Sequence, residues 1–232
     1  MLDIYIQNKT YNKNLVLEDI ELEIKDSEFI SVLGPSGCGK STFLNILANL
    51  DDDFKGHIEM PFENISFMFQ DDRLLPWLSI KENLLLVSKK KDLNEIKRVL
   101  KLIGLENILD EFPKSLSGGM KRRIALARAF INKPQLILLD EPFTSLDFPT
   151  SQELKYEFIK LCKEFKPLVI LVTHDLSEAI LFSNRVFFLS KKPSTVILEF
   201  NNTNNQSFEM KQIDKIKNEI LEKYPNILKG KI

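Results

Sequence analysis

The sequence predicts an α/β domain built on a parallel sheet, with a helical stretch inserted into it. Short, continuously apolar, β-rich runs recur at 29–33, 65–69, 136–139, 168–172 and 186–189, the pattern of strands covered on both faces. Helical patterns alternate with them at 41–50, 120–131, 151–165 and 176–182; in the second, Met120, Ile124, Ala127 and Ile131 share one face. Between about 79 and 112 the pattern is wholly helical, which predicts an insertion.

A chain of 232 residues suits one large domain. With 44% hydrophobic and 28% charged residues and a net charge of −1, it has no global field that would draw it to nucleic acid or anionic lipid. The basic runs Lys89-Lys90-Lys91 and Lys121-Arg122-Arg123 have acidic neighbours and read as solvated faces. Two cysteines, Cys38 and Cys162, cannot form a disulfide framework and suit a reducing compartment. The start, Met1-Leu-Asp-Ile-Tyr5, lacks the charge and apolar pattern of a signal peptide. No apolar run approaches a membrane span, so any membrane association is expected to come through another protein.

Taken in order, the strand at 29–33 runs into Gly34-Pro35-Ser36-Gly37-Cys38-Gly39-Lys40-Ser41-Thr42, which fits G-x-x-x-x-G-K-[ST] between a strand and an amphipathic helix. Glycines let backbone N–H groups converge on phosphate oxygens, and the helix N-terminus adds its dipole. Lys40 would neutralise β- and γ-phosphates and Ser41 would place its hydroxyl on Mg²⁺. After the strand at 65–69 comes Gln70-Asp-Asp-Arg-Leu74-Leu75-Pro76-Trp77-Leu78, an apolar loop that holds the chain's single Trp. Ser79 with Glu82, and Thr150 with Glu153, read as capping boxes that open helices. Ser117-Gly118-Gly119 opens the next helix as a second anion-binding cap. One chain needs only one phosphate cradle, so this cap is expected to serve a nucleotide bound to another copy. The strand at 136–139 delivers Asp140 and Glu141 at its carboxyl end, where ligands sit in open α/β sheets. Asp140 suits an Mg²⁺ ligand through water, and Glu141 a general base for the attacking water. His174 follows the strand at 168–172, whereas His57, after a Lys55-Gly56 turn, reads as structural. A polar linker is expected at 201–206 and a short helix at 208–224.

These pieces, in this order, resemble the nucleotide-binding subunit of an ATP-binding cassette (ABC) transporter over residues 1 to about 200. The resemblance implies a P-loop NTPase (RecA-like) parallel-sheet core with an antiparallel edge sheet and an inserted α-helical subdomain. A single domain would span 1–232, with the core at about 1–72 and 123–200, the helical subdomain at about 73–122, and a linker and helix at about 201–232. It places Tyr11 against adenine and reads Gln70 as the Q-loop residue at the metal and attacking water. Leu116–Met120 becomes the signature, Asp147 of Ser145-Leu146-Asp147 a coupling residue, and His174 a γ-phosphate contact. ATP and Mg²⁺ are implied as ligands. Two copies would close on two ATP molecules, each site combining Lys40, Ser41, Gln70, Asp140, Glu141 and His174 of one chain with Ser117 and Gly119 of the other.

The implied partners are a second copy, a multispanning membrane permease that docks near 70–78, and an extracytoplasmic solute-binding protein, with no nucleic acid. The location would be peripheral, on the cytoplasmic face of the membrane. Phe-Gln-Asp-Asp-x-Leu-Leu-Pro-Trp and Phe188-Leu-Ser-Lys-Lys-Pro193 look like importers of the nitrate, sulfonate and taurine type. Alternatives are an exporter ATPase or a soluble, non-transport cassette. Three features depart from the family: Ser27 stands where glycine is frequent, Met120-Lys121-Arg122-Arg123 where glutamines are usual, and 56–69 is short, which predicts a trimmed edge sheet. Trp77 is expected to be exposed in the isolated chain.

Overall fold

The computed structural model describes residues 1–25, 27–202 and 210–232. In chain order its elements are β1 (Leu2–Tyr11), β2 (Asn14–Ile24), β3 (Phe29–Leu33), α1 (Lys40–Leu47), β4 (Lys55–Glu59), β5 (Ile65–Met68), α2 (Ile80–Val87), α3 (Leu93–Leu102), α4 (Gly118–Phe130), β6 (Leu136–Asp140), α5 (Phe148–Phe165), β7 (Leu168–Thr173), α6 (Leu176–Phe182), β8 (Arg185–Leu189), β9 (Val196–Asn201) and α7 (Met210–Lys223). They fall into two compact units, one of residues 1–62, 138–140 and 168–232, the other of 63–137 and 141–167.

In the first unit, β3 lies between β7 and β8, parallel to both, and β9 closes the edge antiparallel to β8. Every residue of β3 and β7 is buried, so their sequences are continuously apolar rather than alternating. Helix α6 packs on β3, with Phe182 stacked on Phe29, and α7 packs on α6. A separate antiparallel sheet has the order β2-β1-β4. Leu2, Ile4 and Ile6 of β1 and Ile20, Leu22 and Ile24 of β2 are buried at every second position, which gives this sheet one apolar face.

Gly56 is not in a turn. It lies inside β4 opposite Ile6, at φ 138°, where an added Cβ would meet the Tyr5 carbonyl oxygen at 2.0 Å. Only glycine lets the two strands approach that closely. His57 stands beside it, its ring 5.6 Å from that of Tyr5. Ser27 adopts φ 62°, the left-handed conformation that glycine enters at least cost, which accounts for the glycine frequent there. The expected linker is only partly visible: Asn201 ends β9, and 203–206 lie outside the described residues. Asn202 is buried, its amide donating to Ile180 O at 2.7 Å and Ser183 O at 3.0 Å.

In the second unit, α4 packs against β5 and helices α2, α3 and α5. Phe130, Phe143, Phe158 and Phe165 form an aromatic cluster within it. The Ser79/Glu82 capping box opens α2 as expected. The Thr150/Glu153 box does not form. Helix α5 begins at Phe148, three residues before the predicted start, with Asp147 accepting from Thr150 N at 3.0 Å. Pro149 in the first turn is preorganised for a helix and lacks the N–H that would go unbonded there, so Asp147 is the better cap. Among the described residues no helix is long and apolar enough to cross a membrane.

Where α4 meets α5, burial pushes the Glu157 carboxyl up to about 7. Arg123, with Nη1 at 3.3 Å, works in the opposite direction without offsetting it. Below about pH 4.5 folded and unfolded chains both hold this proton, whereas from there to about 7 the folded chain holds it more tightly. Its contribution to stability is therefore full at low pH and lost as pH rises through about 7. Glu157→Gln is expected to raise the melting temperature more at pH 8 than at pH 5; equal shifts at both pH values would show an ordinary carboxyl.

Candidate functional site

The first unit holds the glycine loop, Asp140 and His174. Leu33 and Thr173 are register partners in parallel strands, so Gly34 and His174 leave the sheet from the same edge, on adjacent strands. The loop curls over its own lysine: Lys40 Nζ donates to Gly34 O at 2.9 Å and Pro35 O at 3.2 Å, and the residue is buried. Gly39 caps α1 without a side-chain acceptor, so no side chain competes for the first helical N–H groups. It sits at φ 119°, where a Cβ would lie 2.7 Å from Leu17 Cδ2. Ser36, Gly37 and Ser41 are exposed, while Cys38 is buried with its carbonyl accepting from Ser194 Oγ. A cation seated under glycine-rich backbone at an unblocked helix N-terminus fits a phosphate chain.

Tyr11 ends β1, 43% exposed. Its hydroxyl donates to the Asp51 carboxylate, and Lys9 Nζ sits 4.4 Å from the ring centroid while donating to Asp51 Oδ1 at 2.6 Å. Burial and the Asp51 carboxylate both hold the Tyr11 hydroxyl above its ordinary pKa. Burial would raise the Asp51 carboxyl, but the Lys9 and Tyr11 hydrogen bonds outweigh it and lower the pKa. The ring is thus held in place by Asp51 and Lys9. Asp140, at the end of β6, is buried. His174 is exposed between β7 and α6, which Asp175 caps through Ser177 N at 2.7 Å.

The second unit holds Gln70, Ser117, Gly118, Gly119, Glu141 and Asp147. Ser117 caps its own helix, Oγ accepting from Met120 N at 3.2 Å. Gly118 faces open space, whereas a Cβ on Gly119 would meet Thr150 Cγ2 at 2.5 Å, so Gly119 lets α4 and α5 approach. Glu141 is half-buried at φ 45°, a left-handed conformation uncommon outside glycine. Thr144 Oγ1 donates to its carbonyl at 2.9 Å. Gln70, Asp72, Gly118, Arg122, Thr144 and Ser145 border a cavity of about 270 Å³.

In this unit one sequence expectation is overturned and one buried residue was not anticipated. Lys121-Arg122-Arg123 is not a solvated face, because Arg122 is buried, its guanidinium turned onto backbone carbonyls. Asn83 is buried in α2 and shapes the apolar loop, accepting from Leu75 N at 2.8 Å and donating to the carbonyls of Leu75, Leu78 and Ser79. On that loop Leu74, Leu75 and Leu78 are half-buried while Trp77 is 70% exposed, as the sequence predicts. Helical spacing offered a signal for Asn83, a polar residue beside the apolar Ile80 and Leu84.

The family model described as ABC transporter matches residues 17–144. The chain is 38% identical over 197 residues to an aliphatic sulfonates import ATP-binding protein of Pseudomonas syringae pv. syringae, covering 84% of this chain and 83% of that one. A protein of the same description from Bacillus thuringiensis subsp. konkukian is 39% identical over 211 residues, 84% of each chain. Among solved structures, the dimeric post-hydrolysis cassette MJ0796 bound to ADP and Pi superposes with a TM-score of 0.74 at 30% identity, over 87% of this chain and 98% of that one. The cbiO1 protein of Clostridium perfringens superposes with a TM-score of 0.77 over 98% and 96%, and at 24% identity bears on the fold alone.

Lys40→Met removes the one charge the glycine loop encloses. It is expected to weaken ATP binding about tenfold or more, the size of a charge-assisted hydrogen bond. Titration with a fluorescent ATP analogue measures this, and an unchanged Kd would remove Lys40 from the phosphate site.

Proposed function

We infer the function from a family premise: the chain belongs to the ABC transporter ATPases, enzymes that bind and hydrolyse ATP. We propose that it energises import of a small organic anion of the aliphatic sulfonate class. The observation that carries the ATPase part is the buried Lys40 under its glycine loop, on the same sheet edge as His174. The importer part is supported by relatives described as sulfonate import proteins and by the loop that presents Trp77.

In this reading Gly34 to Thr42 hold the phosphates, and Tyr11 offers one face of its ring to the base. His174 contacts the γ-phosphate. Glu141 takes a proton from the attacking water while Gln70 orients that water. Ser41 and Asp140, with Gln70, are the residues that would hold Mg²⁺, which when bound offsets charge developing on the phosphate oxygens. Among the described residues no group of three or more His, Cys, Asp or Glu forms a metal cage. A Mg²⁺ held mainly by phosphate and water needs none. Ser117, Gly118 and Gly119 serve the nucleotide of a second copy, and Asp147 lies at that junction.

We further propose a permease docked on 70–78, a solute-binding protein on the far side of the membrane, and a peripheral position on the cytoplasmic face. The helices within 73–122 act as the subdomain that receives the permease, with 1–72 and 123–200 as the catalytic core.

Glu141→Gln is expected to bind ATP normally, to lose turnover by on the order of 10²-fold or more, and to run as a dimer on gel filtration only with Mg²⁺-ATP. Hydrolysis near the wild-type rate would sink the base assignment. Trp77→Ala should weaken assembly with the permease by about 2 kcal/mol or more. It should leave the melting temperature of the isolated chain nearly unchanged, since a core Trp would cost roughly 3–5 kcal/mol. Severe destabilisation with intact assembly would move the docking surface elsewhere.

A further inference from the structure

Arg122 is a buried cation that neither the phosphate site nor the capping of α4 requires. Its guanidinium makes five contacts, all within the second unit. Nε donates to Pro142 O at 2.6 Å and Nη2 to Glu141 O at 3.0 Å. Nη1 reaches Phe69 O at 3.0 Å, Gln70 O at 2.7 Å and the Asp72 carboxylate at 3.2 Å. Four of the five acceptors are backbone carbonyls, two from the segment that carries Gln70 and two from the segment that carries Glu141. A neighbouring arginine on α4 serves only one of these segments, Arg128 donating to Asp72 O at 2.6 Å and Arg73 O at 2.8 Å.

The chemistry of the group explains why both segments are held at once. A guanidinium is planar, permanently charged and carries five N–H donors in a rigid fork, so acceptors on its two sides are kept at a set separation. The charge is buried and would be costly without these partners. Glu141 needs an external hold, because its left-handed backbone is strained and persists only where surrounding contacts fix it. Arg122 Nη2 and Thr144 Oγ1 both bond the Glu141 carbonyl and supply that hold.

We propose that Arg122 is a positioning residue for hydrolysis, a strut that sets the spacing between Gln70 and Glu141 so that the water held by one faces the carboxylate of the other. The proposal rests on the reading of Glu141 as the base. Since Gln70 also begins the loop that presents Trp77, the strut ties movement of that loop to the base.

The test uses the full chain. Arg122→Gln keeps two of the five N–H donors and cannot span both segments. It is expected to lower kcat for ATP about tenfold or more, in keeping with the sensitivity of catalysis to displacements near 1 Å. The KM for ATP should stay within about twofold, because the glycine loop belongs to the other unit. Single-turnover hydrolysis should be the same in Glu141→Gln and in Glu141→Gln/Arg122→Gln, since a strut has nothing to position once the base is gone. If Arg122→Gln does not fold, Arg122→Lys carries the same measurements. A lowered melting temperature with unchanged kcat would overturn the proposal. So would an equal loss of rate from Arg122→Gln with and without Glu141. Near-wild-type turnover by Glu141→Gln alone would instead overturn the base assignment, an outcome the Arg122 variants do not mimic.

Discussion

The buried ammonium of Lys40 is the constraint around which the first unit is arranged. A charge 6% exposed cannot be left without partners, and its contacts with Gly34 and Pro35 are available only because the loop folds back over α1. That fold requires Gly39 in a conformation closed to other residues and packed onto Val16 and Leu17 of β2. Ser194 completes the support: its backbone bonds Val16 and Glu18, and its hydroxyl bonds Cys38. The edge sheet and the parallel sheet therefore both bear on one loop of the chain.

The second unit solves a similar problem differently. Helix α4 opens on a serine cap and two glycines, then turns a buried arginine inward and keeps Arg123 for the carboxylates of α5. The backbone carbonyls of Phe69, Gln70, Asp72 and Arg73, and of Glu141 and Pro142, accept from arginines of this one helix. The segments expected to carry the attacking water and the base are thus held by a regular, well-packed element, although both are irregular themselves.

The loop that carries Trp77 shows how an apolar surface can be displayed without collapsing. Asn83 donates to the carbonyls of Leu75 and Leu78 in the loop and of Ser79 at the helix cap, and accepts from Leu75 N, which fixes the turn from inside. The leucines pack inward while the indole stays in solvent. A large aromatic held outward on an ordered loop is the arrangement expected of an interface anchor.

Much of this was legible in the sequence. The buried strands β3, β6, β7 and β8 declare themselves as apolar runs, and the glycine loop through its spacing between a strand and a helix. Leu2, Ile4 and Ile6 carry a period of two that marks β1, yet the edge sheet was expected only from the family resemblance. The sequence by itself determined the fold class, the family and the identity of the catalytic candidates, because these rest on local periodicity and on motifs contiguous in the chain. The tertiary structure alone decided that Asp147 rather than Thr150 caps α5, that Gly56 lies within a strand, that Asp51 and Lys9 fix Tyr11, and that Arg122 is buried rather than solvated. Each of these depends on groups that only the folded chain brings together. For Arg122 the partners stand 19 to 53 positions away, a separation at which no period or propensity along the chain carries information.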